Sequence, residues 1–169
     1  MHEQRLSPAG FIYKPKKAAM KVDEIIYDAI KADTDLMTIF GGRVVSTCFE
    51  VPPDEDDNTP LPYAIITDDG FQNQQTTKDC VWEAAEDRVQ ATVVIAAASP
   101  REVQDIVQMV RRTVEQYITT LYTQGDDIPE LESLSSDGLA WDWMKPCYFQ
   151  RLTYSCIINS EQDDEQDEE

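Results

Sequence analysis

Apolar residues recur at helical spacing near the start of the chain, and the pattern predicts two consecutive helices. The first begins at Lys21, and its apolar stripe faces one side while the charged residues face water. The stripe consists of Val22, Ile25, Ile26, Ala29 and Ile30, and the charged positions are Lys21, Asp23, Glu24, Asp28 and Lys31. Asp33-Thr34 interrupts this helix and caps a short second one over 35–40, which Gly41-Gly42 closes.

A longer helix is predicted over residues 99–122. Ser99, Pro100 and Glu102 fit a capping box with proline at the first helical position. Apolar residues then repeat at helical spacing, and Gly125 ends the helix. The repeat is Val103, Ile106, Val107, Val110, Val114, Tyr117, Ile118 and Leu121. The pattern therefore predicts a long amphipathic helix that lies on a sheet.

Strands are predicted where residues alternate or where β-branched residues cluster, at 43–49, 63–67, 81–98, 139–144 and 148–159. Asp68-Asp69-Gly70 has the composition of a turn that ends the second strand. The third strand is apolar on both faces in its second half, as expected of a central strand. A loop follows the long helix, and the last two strands form a hairpin around Lys145-Pro146.

This order predicts an α+β fold. We expect a mostly antiparallel (mixed) sheet with a short N-terminal helix and one long amphipathic helix packed on it. The predicted organisation is a flexible N-terminal arm or extension over 1–19, a single domain over 20–160 and an acidic disordered tail over 161–169.

Charge restricts the possible partners. The 169 residues include 33 acidic and 14 basic ones, a formal net charge of −19. The tail has seven acids, yet residues 20–160 keep a net charge of −15 without it. Such a chain is not expected to grip nucleic acid or an anionic membrane electrostatically. No apolar stretch approaches the length of a membrane-spanning helix, so no membrane partner is predicted.

Catalytic and metal signatures are sparse. The one histidine is His2, so histidine-based triads and zinc sites are not expected. Asp54, Asp56 and Asn58 match the first positions of a calcium loop, but Thr59 and Ile65 occupy the positions that require glycine and glutamate. We therefore predict no catalytic residue, no cofactor and no metal, while calcium in this loop stays an alternative.

The cysteines and two tryptophans leave further alternatives. Cys48, Cys80, Cys147 and Cys156 contain no C-x-x-C pair and are expected to be reduced, although a Cys147–Cys156 bridge stays open. Trp141 and Trp143 are predicted to share one strand face, where they serve either as core or subunit interface, or as a stacking platform for a sugar or base. Arg111-Arg112 is expected to pair with carboxylates.

The pattern over 20–122 and 139–159 resembles the tail-completion (tail-terminator) proteins of long-tailed phages. The matching features begin with the first helix and the glycine-ended turn, and continue through a proline-bounded loop into a strand. A later strand then runs directly into a serine-capped helix. The residues that carry the resemblance are Ile25, Ile26, Ala29, Ala32-Asp33, Leu36, Phe40-Gly41-Gly42-Arg43-Val44, Leu61-Pro62-Tyr63-Ala64-Ile65-Ile66, Asp87-Arg88-Val89-Gln90-Ala91-Thr92-Val93 and the helix 99–122.

The resemblance implies a non-enzymatic virion structural protein that is made in the host cytoplasm. Such a subunit forms a homo-oligomer, a hexameric ring that caps the head-proximal end of the tail tube. It contacts the tail tube protein and the head-completion or neck protein, and DNA is only a passing cargo. The candidate interaction loops are long and polar. Their residues are Asp54, Glu55, Asp56, Asp57, Asp68, Asp69, Phe71 and Gln72.

Other functions fit the same residues. The first is the neighbouring head-completion or neck protein, which also forms rings. The second is an acidic DNA-mimic inhibitor, whose binding to a basic partner would fall steeply with salt. The third is a hydrolase that uses carboxylates without a recognisable signature.

Overall fold

The computed structural model describes residues 22–46, 60–74, 86–125 and 128–158. Within these ranges the chain forms three helices and six strands. The elements are α1 (Val22–Ala32), α2 (Thr34–Phe40), β1 (Val44–Ser46), β2 (Tyr63–Gln74), β3 (Glu86–Ala97), α3 (Pro100–Thr123), β4 (Glu130–Ser136), β5 (Ala140–Asp142) and β6 (Cys147–Ile158). The predicted α+β class is confirmed. The predicted arm 1–19 and acidic tail 161–169 lie outside the described residues.

The six strands form one mixed sheet in the order β1-β2-β3-β6-β4. Only the β1–β2 pair is parallel among the described strands; the other pairs are antiparallel. β4 and β5 lie end to end along the same side of β6, so together they form one edge of the sheet. β3 is central, as its apolar second half predicted, and pairs with β6 from Asp87 opposite Ile158 to Ala97 opposite Tyr148.

The core lies between one face of the sheet and the helices α1 and α3. One face of β3 is buried, and alternate residues of β2 and β6 continue the same face. α3 contributes its predicted stripe, which begins at Val103 directly after the Ser99 cap. Burial of these side chains supplies the main driving force for folding. The buried apolar residues on this face of β2, β3 and β6 are Ala64, Ile66, Val89, Ala91, Val93, Ile95, Ala97, Leu152, Tyr154 and Cys156.

The predicted turn at 68–70 is wrong, because β2 continues through it to Gln74. The register shifts between Asp68 and Phe71, so these residues form a bulge rather than a chain reversal. Gly70 supplies the positive φ of 84° that the bulge requires, and its N–H donates to Asp68 Oδ1 at 2.8 Å. A segment with the composition of a turn therefore forms a bulge within a strand in this protein.

The loop predicted after α3 contains a strand, β4. Its residues lack the aromatic and β-branched side chains typical of strands. A second bulge between Leu131 and Ser133 also breaks the alternation, so that Leu131 and Leu134 both pack against the core. Spacing alone therefore gives no strand signal in this segment.

Asp23 was expected to face water, but its side chain is buried, with 3% exposed. Within the described residues its Oδ2 atom has no hydrogen-bond partner. The carboxylate lies in the first turn of α1, where the helix dipole favours negative charge. Helical spacing assigned Asp23 to the polar side of α1. In the structure, Asp23 is instead buried together with its neighbour Val22.

Candidate interaction surface

The sheet face opposite the helices is polar at one end and apolar at the other. The polar end lies at the β2 bulge, where Asp69 and Gln72 are exposed. Asp68 is also exposed, but it stands opposite the buried Ala91 and therefore belongs to the face that carries the helices. Thr67 Oγ1 donates to Asp69 Oδ1 at 3.1 Å, and Thr92 Oγ1 also hydrogen-bonds to the Asp69 carboxylate. The Thr92 hydroxyl lies 3.2 Å from that of Thr153, so one network crosses β2, β3 and β6.

The same face carries a two-bond ion pair between neighbouring strands. Arg88 on β3 donates from Nε and Nη2 to the two carboxylate oxygens of Glu132, both at 2.6 Å. Glu132 is the bulged residue of β4, so the pair holds the irregular part of this edge against the centre of the sheet. About a third of each side chain is exposed (29% and 32%), which moderates the strength of the pair through solvent screening.

At the apolar end, Tyr63 on β2 lies near Cys147, the first residue of β6. Burial raises the pKa of the Tyr63 hydroxyl, and the nearby Cys147 and Asp142 raise it further. Burial, followed by Asp142, also raises the pKa of the Cys147 thiol, while the hydrogen bond from Tyr63 opposes that shift. Both groups are therefore neutral at physiological pH.

The turn between β5 and β6 presents two large apolar side chains to solvent. Trp143 is 85% exposed and Met144 is 91% exposed. Sequence reasoning placed Trp141 and Trp143 on one strand face, which is wrong because β5 ends at Asp142 and Trp143 lies in the turn. We call the turn residues 143–146 the hairpin tip.

Hydrogen bonds and aromatic contacts hold the hairpin tip in place. Asp142 Oδ1 accepts from the backbone N–H of Met144 at 2.9 Å and from that of Lys145 at 3.4 Å. The ring of Trp141 lies edge-on to Tyr148 with centroids 4.6 Å apart, and edge-on to Trp143 at 6.1 Å. The aromatic contacts thus run from the sheet outward to the exposed indole.

A shallow apolar groove lies where α1 and α3 meet the second half of β6. Its cavity volume is about 10 Å³, which is room for about one water molecule and far below the range of small-molecule pockets. It is lined by Val22, Ile25, Ile26, Ile118, Ile128, Pro129, Tyr154 and Cys156. Burial raises the pKa of Tyr154 strongly, and within the described residues its hydroxyl has no hydrogen-bond partner. Burial also raises the pKa of Cys156 to about 12, with a smaller contribution from Glu132. We call this site the helical groove.

Cys147 and Cys156 are free, buried thiols. They lie at opposite ends of β6, nine residues apart in an extended strand, which corresponds to about 30 Å. The alternative of a Cys147–Cys156 bridge is therefore wrong, because a disulfide needs Cα atoms within about 7 Å. The predicted thiols Cys48 and Cys80 lie outside the described residues.

Several other predicted residues also lie outside the described ranges, namely Asp54, Glu55, Asp56, Asp57, Asn58 and Thr59. Phe71 lies on β2 just after the bulge. Arg111 meets the expectation of carboxylate pairing, since its Nε atom lies 3.1 Å from Glu115 Oε1. Among the described residues, no cluster of histidine, cysteine, aspartate and glutamate could hold a metal ion, and no helix is long and apolar enough to span a membrane.

Comparison with known proteins finds similarity in structure but none in sequence. No model of a protein family matches the chain, and no curated protein sequence matches it. Among solved structures, a chain from the virion of a native gene transfer agent particle matches at 14% identity with a TM-score of 0.44. The match covers 85% of this chain and 99% of that chain.

Proposed function

We propose that this chain is a non-enzymatic structural subunit of a phage-like virion. Its single domain over 20–160 is the building unit of a tail-terminator ring, with six copies as the expected number. The ring caps the head-proximal end of the tail tube and joins the tail to the head or neck. DNA passes through its lumen without being bound.

The observation that carries this proposal is where the structure places the residues on which the resemblance to tail terminators depends. They fall on α1, α2 with its left-handed Gly41 cap, β2, and β3 running directly into the Ser99-capped α3. These elements form both layers of the fold, because α1 and α3 pack on the sheet that β2 and β3 help to build. The residues that carry the resemblance therefore lie in the helices and strands that build both layers of the fold.

Surface charge supports the passage of DNA. Residues 20–160 carry a net charge of −15, and Asp68 and Asp69, which are adjacent in the β2 bulge, are both exposed. Carboxylates that line a lumen would repel the DNA backbone, so DNA could move without adhering. A structure of the ring with a neutral or basic lumen would contradict this part of the proposal.

The experiment that tests the function is a tube-capping assay. Purified protein is added to polymerising tail-tube protein and examined by electron microscopy, with native mass spectrometry of the protein alone. We expect ring-shaped oligomers and tubes of limited length with a ring at one end. A strict monomer that leaves tube growth unchanged would contradict the proposal. Rings that bind the head vertex and ignore tubes would instead identify the neighbouring neck protein.

The candidate interaction residues enter the same assay. Asp68, Asp69 and Gln72 are exposed on one strand and are proposed, with Phe71 and the acidic residues 54–57, to contact the tube or the neck. Asp68→Asn and Gln72→Ala are the variants of choice, because Asp69 also holds the threonine network together. Loss of capping by rings that still assemble is the expected result.

A further inference from the structure

Among the described residues, no helix or strand covers the sheet face opposite α1 and α3, which we call the outer face. A sheet face that meets water normally carries polar residues. The half of the outer face near the hairpin tip instead carries large apolar side chains that are only half-buried. They are Val45, Tyr63, Ile65, Val94 and Phe149. This half of the outer face is therefore more apolar than contact with water alone requires.

Charge is sparse on the same half of the outer face, although the whole chain has a net charge of −19. Among its described residues the charged ones are Arg151 and Asp142. The Arg151 guanidinium lies 5.4 Å from the centroid of the Phe149 ring, and the Asp142 carboxylate accepts from backbone N–H groups of the tip. Few charges together with aromatic and arginine side chains are typical of the core of a protein interface.

The hairpin tip extends beyond this half of the sheet and adds two exposed apolar side chains, Trp143 and Met144. The Asp142 carboxylate and the edge-on contact between Trp141 and Trp143 fix the turn that carries them. Tryptophan is enriched among the residues that dominate binding energy at interfaces. A fixed apolar side chain also loses little conformational entropy on binding. The tip therefore has the properties of an anchor at the rim of the outer face.

The outer face is large enough for a stable protein contact. Five strands lie side by side across it, which gives a width of about 20 Å at the usual strand spacing. β3 and β6 are paired from Asp87 to Ala97, a length of about 35 Å at the rise of an extended strand. The resulting area of about 700 Å² is of the order that each partner buries in a typical specific interface.

The rest of the described surface does not offer a second copy a matching apolar patch. α3 presents polar and charged side chains outward, among them Gln104, Gln108 and Arg112. The sheet edges carry bulges with Asp69 and Glu132, and irregular, charged edges resist strand pairing. Two outer faces could meet only in an isologous contact, which closes a dimer rather than a ring. Two copies that each carry a charge of −19 also repel one another.

We propose that the outer face, with Trp143 and Met144 at its rim, packs against the end of the tail tube. This inference rests on the proposed function and names the surface with which each ring subunit holds the tube. A tube of stacked copies exposes at its end the surface that the next layer would bury, and such a surface is apolar in its core. Asp69 and Gln72, at the polar end of the outer face, form the opposite rim of the contact.

A charge placed in the centre of the outer face tests the contact. Val94→Glu should weaken the binding of rings to preformed tubes at least tenfold, because the contact would bury the new carboxylate. Arg151 stands opposite position 94 and can pair with that carboxylate, so the variant is expected to fold. Gln108→Glu adds the same charge on the exposed side of α3 and is the matched control, with unchanged binding. Wild-type affinity of folded Val94→Glu rings for tubes would overturn the proposal.

Substitution at the tip gives a second test that does not disturb the sheet. Trp143→Ser with Met144→Ser should also reduce tube binding at least tenfold, while ring assembly and the free energy of unfolding stay unchanged because both side chains are exposed. Tyr122→Ser is the control, since Tyr122 is 47% exposed near the opposite end of α3. Unchanged tube binding by the double variant would overturn the proposal. Loss of its ring assembly would do so as well, because the tip would then lie between copies.

Photochemical cross-linking identifies the occupant directly. Met144→Cys is labelled with a benzophenone maleimide in a background with Cys48→Ser and Cys80→Ser; Cys147 and Cys156 are buried and are not expected to react. Irradiation of capped tubes should give an adduct between this chain and the tube protein. An adduct with a second copy, with the neck protein or with another segment of the same chain would overturn the proposal.

Failure of this contact and failure of the proposed function give different results. If wild-type rings and both sets of variant rings cap tubes equally, only the outer-face contact is overturned. If wild-type rings do not bind tubes at all, the tail-terminator function fails and the outer-face contact fails with it.

Discussion

Thr113, in the middle of α3, donates a hydrogen bond from Oγ1 to Asp33 Oδ2 at 2.6 Å. The other oxygen of Asp33 caps α2 by accepting from the N–H groups of Asp35 and Leu36 at 3.0 and 3.1 Å. One carboxylate therefore fixes the start of a short helix and ties it to the long one. Partial burial raises the pKa of Asp33, but the hydrogen bonds from Thr113, Leu36 and Asp35 outweigh it and hold the pKa below its usual value.

Asp33→Ala should lower the free energy of unfolding by about 1–2 kcal/mol at pH 7, the usual cost of a lost cap. Because the folded pKa is below the unfolded one, this stabilisation is present above pH 4 and is lost as the pH falls through the folded pKa. Urea unfolding should show that the difference in free energy of unfolding between wild type and Asp33→Ala is smaller at pH 3 than at pH 7. Asp35→Asn, on the exposed first turn of α2, is the control. A difference in free energy of unfolding that is equal at both pH values would contradict a lowered pKa of Asp33.

Tyr154→Phe should leave the protein as stable as the wild type or more stable, by up to about 1 kcal/mol. The hydroxyl is buried and lacks a partner among the described residues, so its removal relieves a desolvation cost. Tyr63→Phe is the matched comparison and should destabilise, because the Tyr63 hydroxyl hydrogen-bonds to Cys147. Denaturant unfolding of both variants gives the sign. A clear loss of stability in Tyr154→Phe would reveal a partner for its hydroxyl.

Gly70→Ala should destabilise the fold by about 1 kcal/mol through backbone strain. The φ of Gly70 is +84°, and an added Cβ would meet no atom within 4 Å, so no steric clash contributes. Gly138→Ala is the control, since that site also has open space but lacks a positive φ, and it should be neutral or slightly stabilising. Thermal unfolding compares the two, and equal effects would argue against a strained bulge.

Alkaline solution should destabilise the protein through Cys156. Its pKa is about 12 in the folded state against a usual value of 9.0, so the unfolded state releases the proton first. The contribution is complete below pH 9 and is lost as the pH rises towards 12; at pH 10 the loss is about 1.4 kcal/mol relative to neutral pH. Cys156→Ala should show a shallower decline between pH 8 and 10. An unchanged slope would mean that other groups control the alkaline limb.

The sequence predicted the elements whose local and tertiary signals agree. α3 has both a cap at Ser99 and an unbroken apolar stripe, and the second half of β3 is apolar on both faces, as its central position requires. β4 was missed because a bulge at Glu132 shifts the alternation by one residue, and β2 was cut short because Gly70 marks a bulge as readily as a turn.

The candidate site was harder to predict than the fold. Nothing in the sequence distinguishes an exposed apolar residue in a hairpin turn from a buried one. The exposure of Trp143 and Met144 was therefore not predictable. The helical groove depends on how α1, α3 and β6 meet, which no local pattern encodes. Asp68 and Asp69 were selected as candidates because they lie in a polar stretch of the sequence, and their role in an interaction stays a prediction.

β6 is the last element of the described chain, yet β3, β4 and β5 all form ladders with it. The sheet is therefore completed only when residue 158 has left the ribosome, after α3 and both edge strands have been made. Until then the apolar β3 has one unpaired edge, which is a template for pairing with another nascent chain. The strong negative charge of the chain favours repulsion between neighbouring copies during that interval.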